Sequence, residues 1–209
     1  MTRDRQEDAP LDARTMLLAP VPAETPLERA ARCLKALAGG APLAAIILPA
    51  AEEGTTQGWR ERLAEEARVL SVACLLKDDV DACVALSADG VVLHDATPGQ
   101  VREARARLGG DGIIGVCCPA RRHALMELGE AGADWLGVDQ RVEAGGENLL
   151  AWAVEMFTLP VAAMHPVAPE ELPDLRALGA DFVVASPAVW ESAERAAALA
   201  AAYAVRAGA

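Results

Sequence analysis

The sequence predicts an α/β fold, a single-domain (β/α)8 barrel of the TIM type. Three observations predict it: eight short apolar runs, helical segments between them, and a tripeptide that returns at even spacing. The chain has 209 residues, 53% of them hydrophobic, which is enough for one domain with a full core and short for two.

The apolar runs lie at 16–19, 43–48, 69–75, 90–93, 112–116, 135–138, 161–164 and 182–185. They are continuous rather than alternating, as expected of strands buried on both faces. Segments rich in Ala, Leu, Glu and Arg lie between them, for example at 27–37, 59–68, 101–108 and 170–178. Strand and helix alternating eight times is the barrel pattern. The tripeptides Ser87-Ala88-Asp89, Gly132-Ala133-Asp134 and Gly179-Ala180-Asp181 each close a helix and open a strand, with their Asp residues 45 and 47 positions apart. A small residue lets the chain leave the helix, and Asp can hold the turn through nearby N–H groups. An open doubly wound sheet is the rival. Such a sheet usually carries a Gly-rich phosphate turn after its first strand, whereas here that strand runs into Pro20-Val21-Pro22. The domain is assigned to residues 15–209, and residues 1–14, charged and without an apolar stretch, are read as a solvated tail.

Bulk properties narrow the partners. The formal net charge of −12 argues against nucleic acid, whose binding rests on clustered Lys and Arg. A small phosphorylated molecule stays open, since it needs only a few N–H groups and one cation. No apolar run approaches the ~20 residues of a membrane span. The five cysteines form no C-x-x-C pair, so reduced thiols and a cytoplasmic location are expected. The four tryptophans are dispersed and suggest no base-stacking surface.

Barrels of this kind keep their active sites in the loops that follow the strands. That rule yields Lys77, Asp78 and Asp79 after strand 3, and His94, Asp95 and Thr97 after strand 4. Cys117, Cys118, Arg121 and Arg122 follow strand 5; Asp139, Gln140, Arg141 and Gly145-Gly146 follow strand 6. His165 and Pro166 follow strand 7, and Ser186 follows strand 8. Asp78, Asp95 and Asp139 could hold Mg²⁺ through oxygen. His94, His165 and Cys117 could instead make a softer metal site, although no compact ligand motif supports it. Asp78 or Asp79 also reads as the cap of the next helix. Lys77 would neutralise a phosphate or pair with an Asp. Cys117 is either a core thiol or, with Arg121 and Arg122 nearby, a reactive one. Cys33, Cys74 and Cys83 read as core thiols.

From Val69 onward, ordered motifs resemble those of thiamine phosphate synthase and its TenI-like relatives. Leu75-Leu76-Lys77-Asp78-Asp79-Val80-Asp81 resembles I-I-N-D-D-V-D, and Ser87 to Leu93 resembles G-A-D-G-V-H-L. Gly112 to Cys117 resembles I-I-G-V-S, and Ala131 to Val138 resembles A-G-A-D-Y-L-G-V. Pro160 to Ala163 resembles P-V-V-A, and Val183 to Ser186 the last strand. The resemblance spans Val69 to Val189. It implies a Mg²⁺-assisted joining of a pyrimidine pyrophosphate to a thiazole phosphate, in thiamine biosynthesis, with release of pyrophosphate. It implies Asp78 as a Mg²⁺ ligand, with Asp95 nearest the place of the second, Ser186 at a phosphate cradle, Gly137 at the substrate rim, and a possible homodimer.

The departures are numerous. Q-L-R-E-K after strand 2 reads Ile47-Leu48-Pro49-Ala50-Ala51; the Asn before the first Asp is Lys77; G-Q-E-D reads His94-Asp95-Ala96-Thr97. Ser-Thr-His reads Cys117-Cys118-Pro119, the loop after strand 6 keeps Arg141 as its only cation, and a Gly-Gly pair reads His165-Pro166. Proline has no N–H, and a side chain at His165 crowds an anion. Each lost oxyanion donor costs roughly 10²–10³ in rate. Three readings follow. The first is a synthase with Lys77, Asp78 and Asp95 serving the pyrophosphate and metal. The second is a diverged enzyme using His94, His165 or Cys117 on another substrate; for either enzyme Cys117, Gly137, Arg141 and Ser186 are the candidates for substrate or phosphate binding. The third is a non-catalytic relative that binds a small molecule or a partner protein.

Overall fold

The computed structural model describes residues 15–50, 56–118 and 121–207. Eight parallel strands close into a barrel: β1 (Met16–Pro20), β2 (Leu43–Leu48), β3 (Ala73–Lys77), β4 (Gly90–His94), β5 (Ile113–Cys117), β6 (Trp135–Val138), β7 (Val161–Val167) and β8 (Phe182–Ala185). Each strand pairs with its sequence neighbours, and β8 closes on β1. Eight helices complete the units: α1 (Leu27–Ala38), α2 (Gln57–Val69), α3 (Val80–Leu86), α4 (Pro98–Leu108), α5 (Arg122–Glu130), α6 (Leu149–Met156), α7 (Leu172–Ala177) and α8 (Ala193–Ala207). The expected tail, residues 1–14, lies outside the described residues. Among the described residues no helix is long and apolar enough to cross a membrane.

Continuous apolar runs serve two cores. Alternate residues such as Leu18, Ile47, Leu75, Val92, Trp135 and Val184 fill the barrel interior. Those between them, such as Leu17, Ile46, Leu76 and Val91, face the helices. The interior relies on one small-to-large exchange. Trp135 lies across Gly115, where an added Cβ would come 2.0 Å from its ring, and tilts against Phe182 at 6.2 Å.

Two boundaries differ from expectation. The run at 69–75 is not one strand: Val69 ends α2 and is 70% exposed, and β3 begins at Ala73. Ser71, at φ 57°, makes the turn between them. The segment at 170–178 opens as a 3-10 turn, Pro169–Glu171, before α7.

The Asp repeat does more than hold a turn. The N–H of Asp89 donates to Cys74 O, and Asp89 Oδ2 accepts from Cys74 N at 2.7 Å. Asp134 treats Ile114 the same way, and Asp181 treats Val161 the same way, with carboxylate bonds of 2.6 and 2.9 Å. Each Asp grips a residue of the preceding strand at two points, so β4, β6 and β8 are pinned to β3, β5 and β7 at the barrel's N-terminal face. Ser87, Gly132 and Gly179 adopt the left-handed conformation that turns the chain into each clamp.

Candidate active site at the C-terminal mouth

Two consecutive strands end alike. Asp78 follows β3 and Asp95 follows β4, both left-handed at φ 51° and 49°. Asp is among the few residues that enter this region readily. Their N–H groups donate to Val92 O and Cys117 O, which carries the barrel ladder one residue beyond each strand. The turn aims the Asp78 carboxylate at the next strand. Its Oδ1 accepts from the His94 N–H at 2.6 Å, and its Oδ2 lies 3.0 Å from His94 Nδ1. Both side chains stay 37% exposed. Asp79, not Asp78, caps α3 by accepting from Ala82 N, and it also takes Arg60 Nη1 at 3.0 Å.

Lys77 is the last residue of β3 rather than part of the loop after it, and is half-buried. It borders a cavity of about 200 Å³ whose other lining residues are all apolar. Five of the thirteen prolines ring this cavity: Pro20, Pro22, Pro49, Pro166 and Pro187. These positions offer no N–H. Neighbouring N–H groups are already used, Val21 by Ile47 O and Ser186 by Tyr203 Oη at 3.0 Å.

His165 lies within β7, which runs on through Pro166 to Val167. The Gln140 side chain pairs with its backbone twice, donating to His165 O at 2.9 Å and accepting from His165 N at 3.0 Å. Arg141 forks onto Asp139, Nε to Oδ1 at 2.9 Å and Nη2 to Oδ2 at 2.6 Å, while its Nη1 lies 3.2 Å from His165 Nε2. This fork, the hydrogen bond above all, lowers the Asp139 carboxyl to about 2. Gly145 and Gly146, at φ 68° and 82°, form the two-residue turn of a small hairpin, Glu143–Ala144 with Glu147–Asn148. Asn148 then caps α6 and donates to Gln140 O at 2.7 Å.

Cys117 and Gly137 meet inside the barrel beneath the mouth. A Cβ at Gly137 would come 2.6 Å from Met164 Cγ and 3.1 Å from Cys117 Sγ, so packing asks for glycine there. Burial, then Asp78 and Asp95, push the Cys117 thiol far up. Burial also raises Cys118 despite Arg121. Arg122 turns away, to Glu147 at 2.7 Å and over the Trp152 ring. A thiolate is therefore not prepared at this end of β5.

Sequence reasoning missed Tyr203, the only tyrosine. Buried on α8, it accepts from Ser186 N and donates to Val167 O, joining the ends of β7 and β8. A lone phenol in an alanine-rich helix was the available signal. Ser186 itself caps the short turn Pro187–Trp190. Each Asp78 oxygen is within hydrogen-bond distance of His94, and among the described residues no group of three or more His, Cys, Asp or Glu is placed to hold an ion.

A closed parallel barrel with its polar residues gathered at the C-terminal mouth defines the class, a TIM-barrel protein. Within that class the chain belongs to the thiamine monophosphate synthase family, whose profile matches residues 21–189. A thiamine-phosphate synthase of Erythrobacter litoralis is 36% identical over 159 residues, 69% of this chain and 74% of that protein. One from Rhodospirillum centenum is 35% identical over 128 residues, 57% of this chain and 61% of that protein. The solved thiamine phosphate pyrophosphorylase of Pyrococcus furiosus superposes with a TM-score of 0.74 at 19% identity, covering 95% of this chain and 97% of that one, and shows the shared fold.

Proposed function

We propose that the chain is a diverged barrel of the thiamine-phosphate-synthase type, working in thiamine biosynthesis or derived from an enzyme that did. In this reading the mouth is shaped for a pyrimidine pyrophosphate and a thiazole phosphate, but holds too few anion donors to join them at an ordinary rate. One observation carries it: the donors at the mouth are committed to one another. Asp139 and His165 engage Arg141, Tyr203 takes the Ser186 N–H, and the proline ring supplies no N–H. Stabilisation of developing negative charge depends on donors preorganised toward the substrate. Mg²⁺ would be held between the diphosphate and one or two carboxylates, for which Asp78 and Asp95 are the candidates at this mouth. The five free cysteines, three of them buried, support a reducing, cytoplasmic setting.

The test mixes full-length protein with both substrates and Mg²⁺ and follows pyrophosphate release, with Asp78→Ala as control. The expected result is release no faster than the control. Turnover within about tenfold of the usual enzyme median of ~10 s⁻¹, lost in the control, would overturn the reading and make this a synthase with rebuilt phosphate contacts.

A further inference from the structure

The chain uses lysine sparingly. It has two, Lys35 and Lys77, while its other seventeen basic side chains are arginines. Arginine is the better anion receptor, because its fork bonds phosphate or carboxylate at two points. Lysine differs in that its amine can shed a proton and act as a nucleophile toward a carbonyl carbon. One of the two lysines, Lys77, stands at the C-terminal end of β3, at the wall of the proline-ringed cavity.

The rest of that wall decides what the amine can serve. Ile47 and Val184, almost fully buried, form part of the barrel interior below it. Five prolines and the engaged N–H groups of Val21 and Ser186 leave little to solvate a phosphate. An uncharged or singly charged carbonyl compound with an apolar body suits such walls better, since apolar contact is what they offer. At about 30 Å³ for each water-sized group, a cavity of about 200 Å³ takes roughly six or seven non-hydrogen atoms. That is the size of a short-chain aldehyde or a small 2-oxo acid.

We propose that Lys77 forms an imine with a short carbonyl compound bound in this cavity. The Lys77 ammonium gives a proton to solvent, its nitrogen attacks the carbonyl carbon, and an N–C bond forms as the C=O pair moves onto oxygen. Proton exchange with solvent at the open mouth gives a carbinolamine. The C–O bond then breaks, the oxygen leaves as water, and a C=N bond remains. No electrons are transferred, and no co-reactant is needed beyond the carbonyl compound. The proposal goes beyond the synthase reading and does not depend on it, because it requires neither pyrophosphate nor metal.

The test is reductive trapping on the full-length chain. Protein is incubated with glyoxylate, pyruvate or propanal and sodium cyanoborohydride at pH 7.5, and adducts are located by peptide mass mapping. Lys35, whose side chain is 57% exposed, is an internal control in the same molecule. At least one probe is expected to label Lys77 ten or more times faster than Lys35, saturably with probe concentration. Lys77→Arg should remove that adduct and leave the thermal melt unchanged. Equal labelling of the two lysines by every probe would overturn the proposal, and so would a linear, unsaturable rate. The comparison of two lysines within one unmodified chain stands even where the variant fails to fold. Pyrophosphate release is read separately, so failure of either idea is recognisable on its own.

Discussion

Arg141 shows how one pairing can remove a charge from service. It was the only cation that the loop after β6 offered to a substrate phosphate. In the structure its fork is spent on Asp139, and its remaining edge meets His165. The bond has a measurable signature, because Arg141 holds the Asp139 carboxyl at about 2, below the ordinary ~3.9 of aspartate. A depressed carboxyl pKa means stability that is fully present above the unfolded value and is lost as pH falls through the folded one. The contribution should therefore be flat from neutral pH down to about 4 and fade between there and about 2. A carboxyl-detected NMR titration is expected to show Asp139 with a midpoint near 2. Arg141→Gln should move that midpoint up toward the ordinary range. An ordinary midpoint in the unmodified chain would show Arg141 disengaged and free for an anion, which would weaken the case for a depleted mouth. The buried thiols speak in the same terms: burial, followed by Asp89, pushes Cys74 up to about 12 and Cys83 to about 11.

Among the elements, the Asp clamps carry the clearest prediction. Asp89, Asp134 and Asp181 each bridge two strands, and among the described residues only Asp134 is also held by an arginine, Arg105 at 2.6 Å. Removing one carboxylate acceptor leaves a strand N–H to find water, at about 1.5–3 kcal/mol for a hydrogen bond to a charged group. Asp181→Ala is expected to cost about that much in urea denaturation. Combined with Asp89→Ala the losses should add, because the two clamps serve different strand pairs. A double variant no less stable than either single one would show that the clamps do not set strand register. The repeat itself was visible in the sequence; its reach across to the neighbouring strand was not, because spacing gives no partner. Strand positions were legible where polar residues or Gly bounded the apolar run. They failed at 69–75, where helix end and strand are both apolar and Ser71, with no glycine nearby, makes the left-handed turn. At β7 the apolar run ends at Met164, but the strand continues through His165 and Pro166 to Val167 with a shift in its pairing to β8.

For the molecule as a whole, the strand-end rule gathered the candidate residues on one mouth, and the fold agrees because a parallel barrel sends every strand the same way. What the sequence concealed was which side chains would consume one another. Asp78 with His94, Asp139 with Arg141, and Ser186 with Tyr203 are all pairings set by three-dimensional proximity. The five prolines were visible singly, but only barrel closure assembles them into a ring beside Lys77. A mouth so arranged should have little affinity for a free polyanion. A ligand that binds only the folded state stabilises it by RT ln(1 + [L]/Kd), about 0.4 kcal/mol when its concentration equals Kd. For a domain of this size each kcal/mol raises the melting temperature by about 2–4 °C. With Kd at or above about 10 mM, 10 mM pyrophosphate should therefore raise it by no more than about 2 °C. Scanning calorimetry at constant ionic strength, with and without pyrophosphate, makes the measurement, and sulfate at equal ionic strength controls for general salt effects. A rise above about 5 °C, specific to pyrophosphate, corresponds to a Kd at least about sevenfold tighter. That result would require donors at the mouth to leave their present partners and turn to the ligand, with Arg141 the first to examine by repeating the scan on Arg141→Gln.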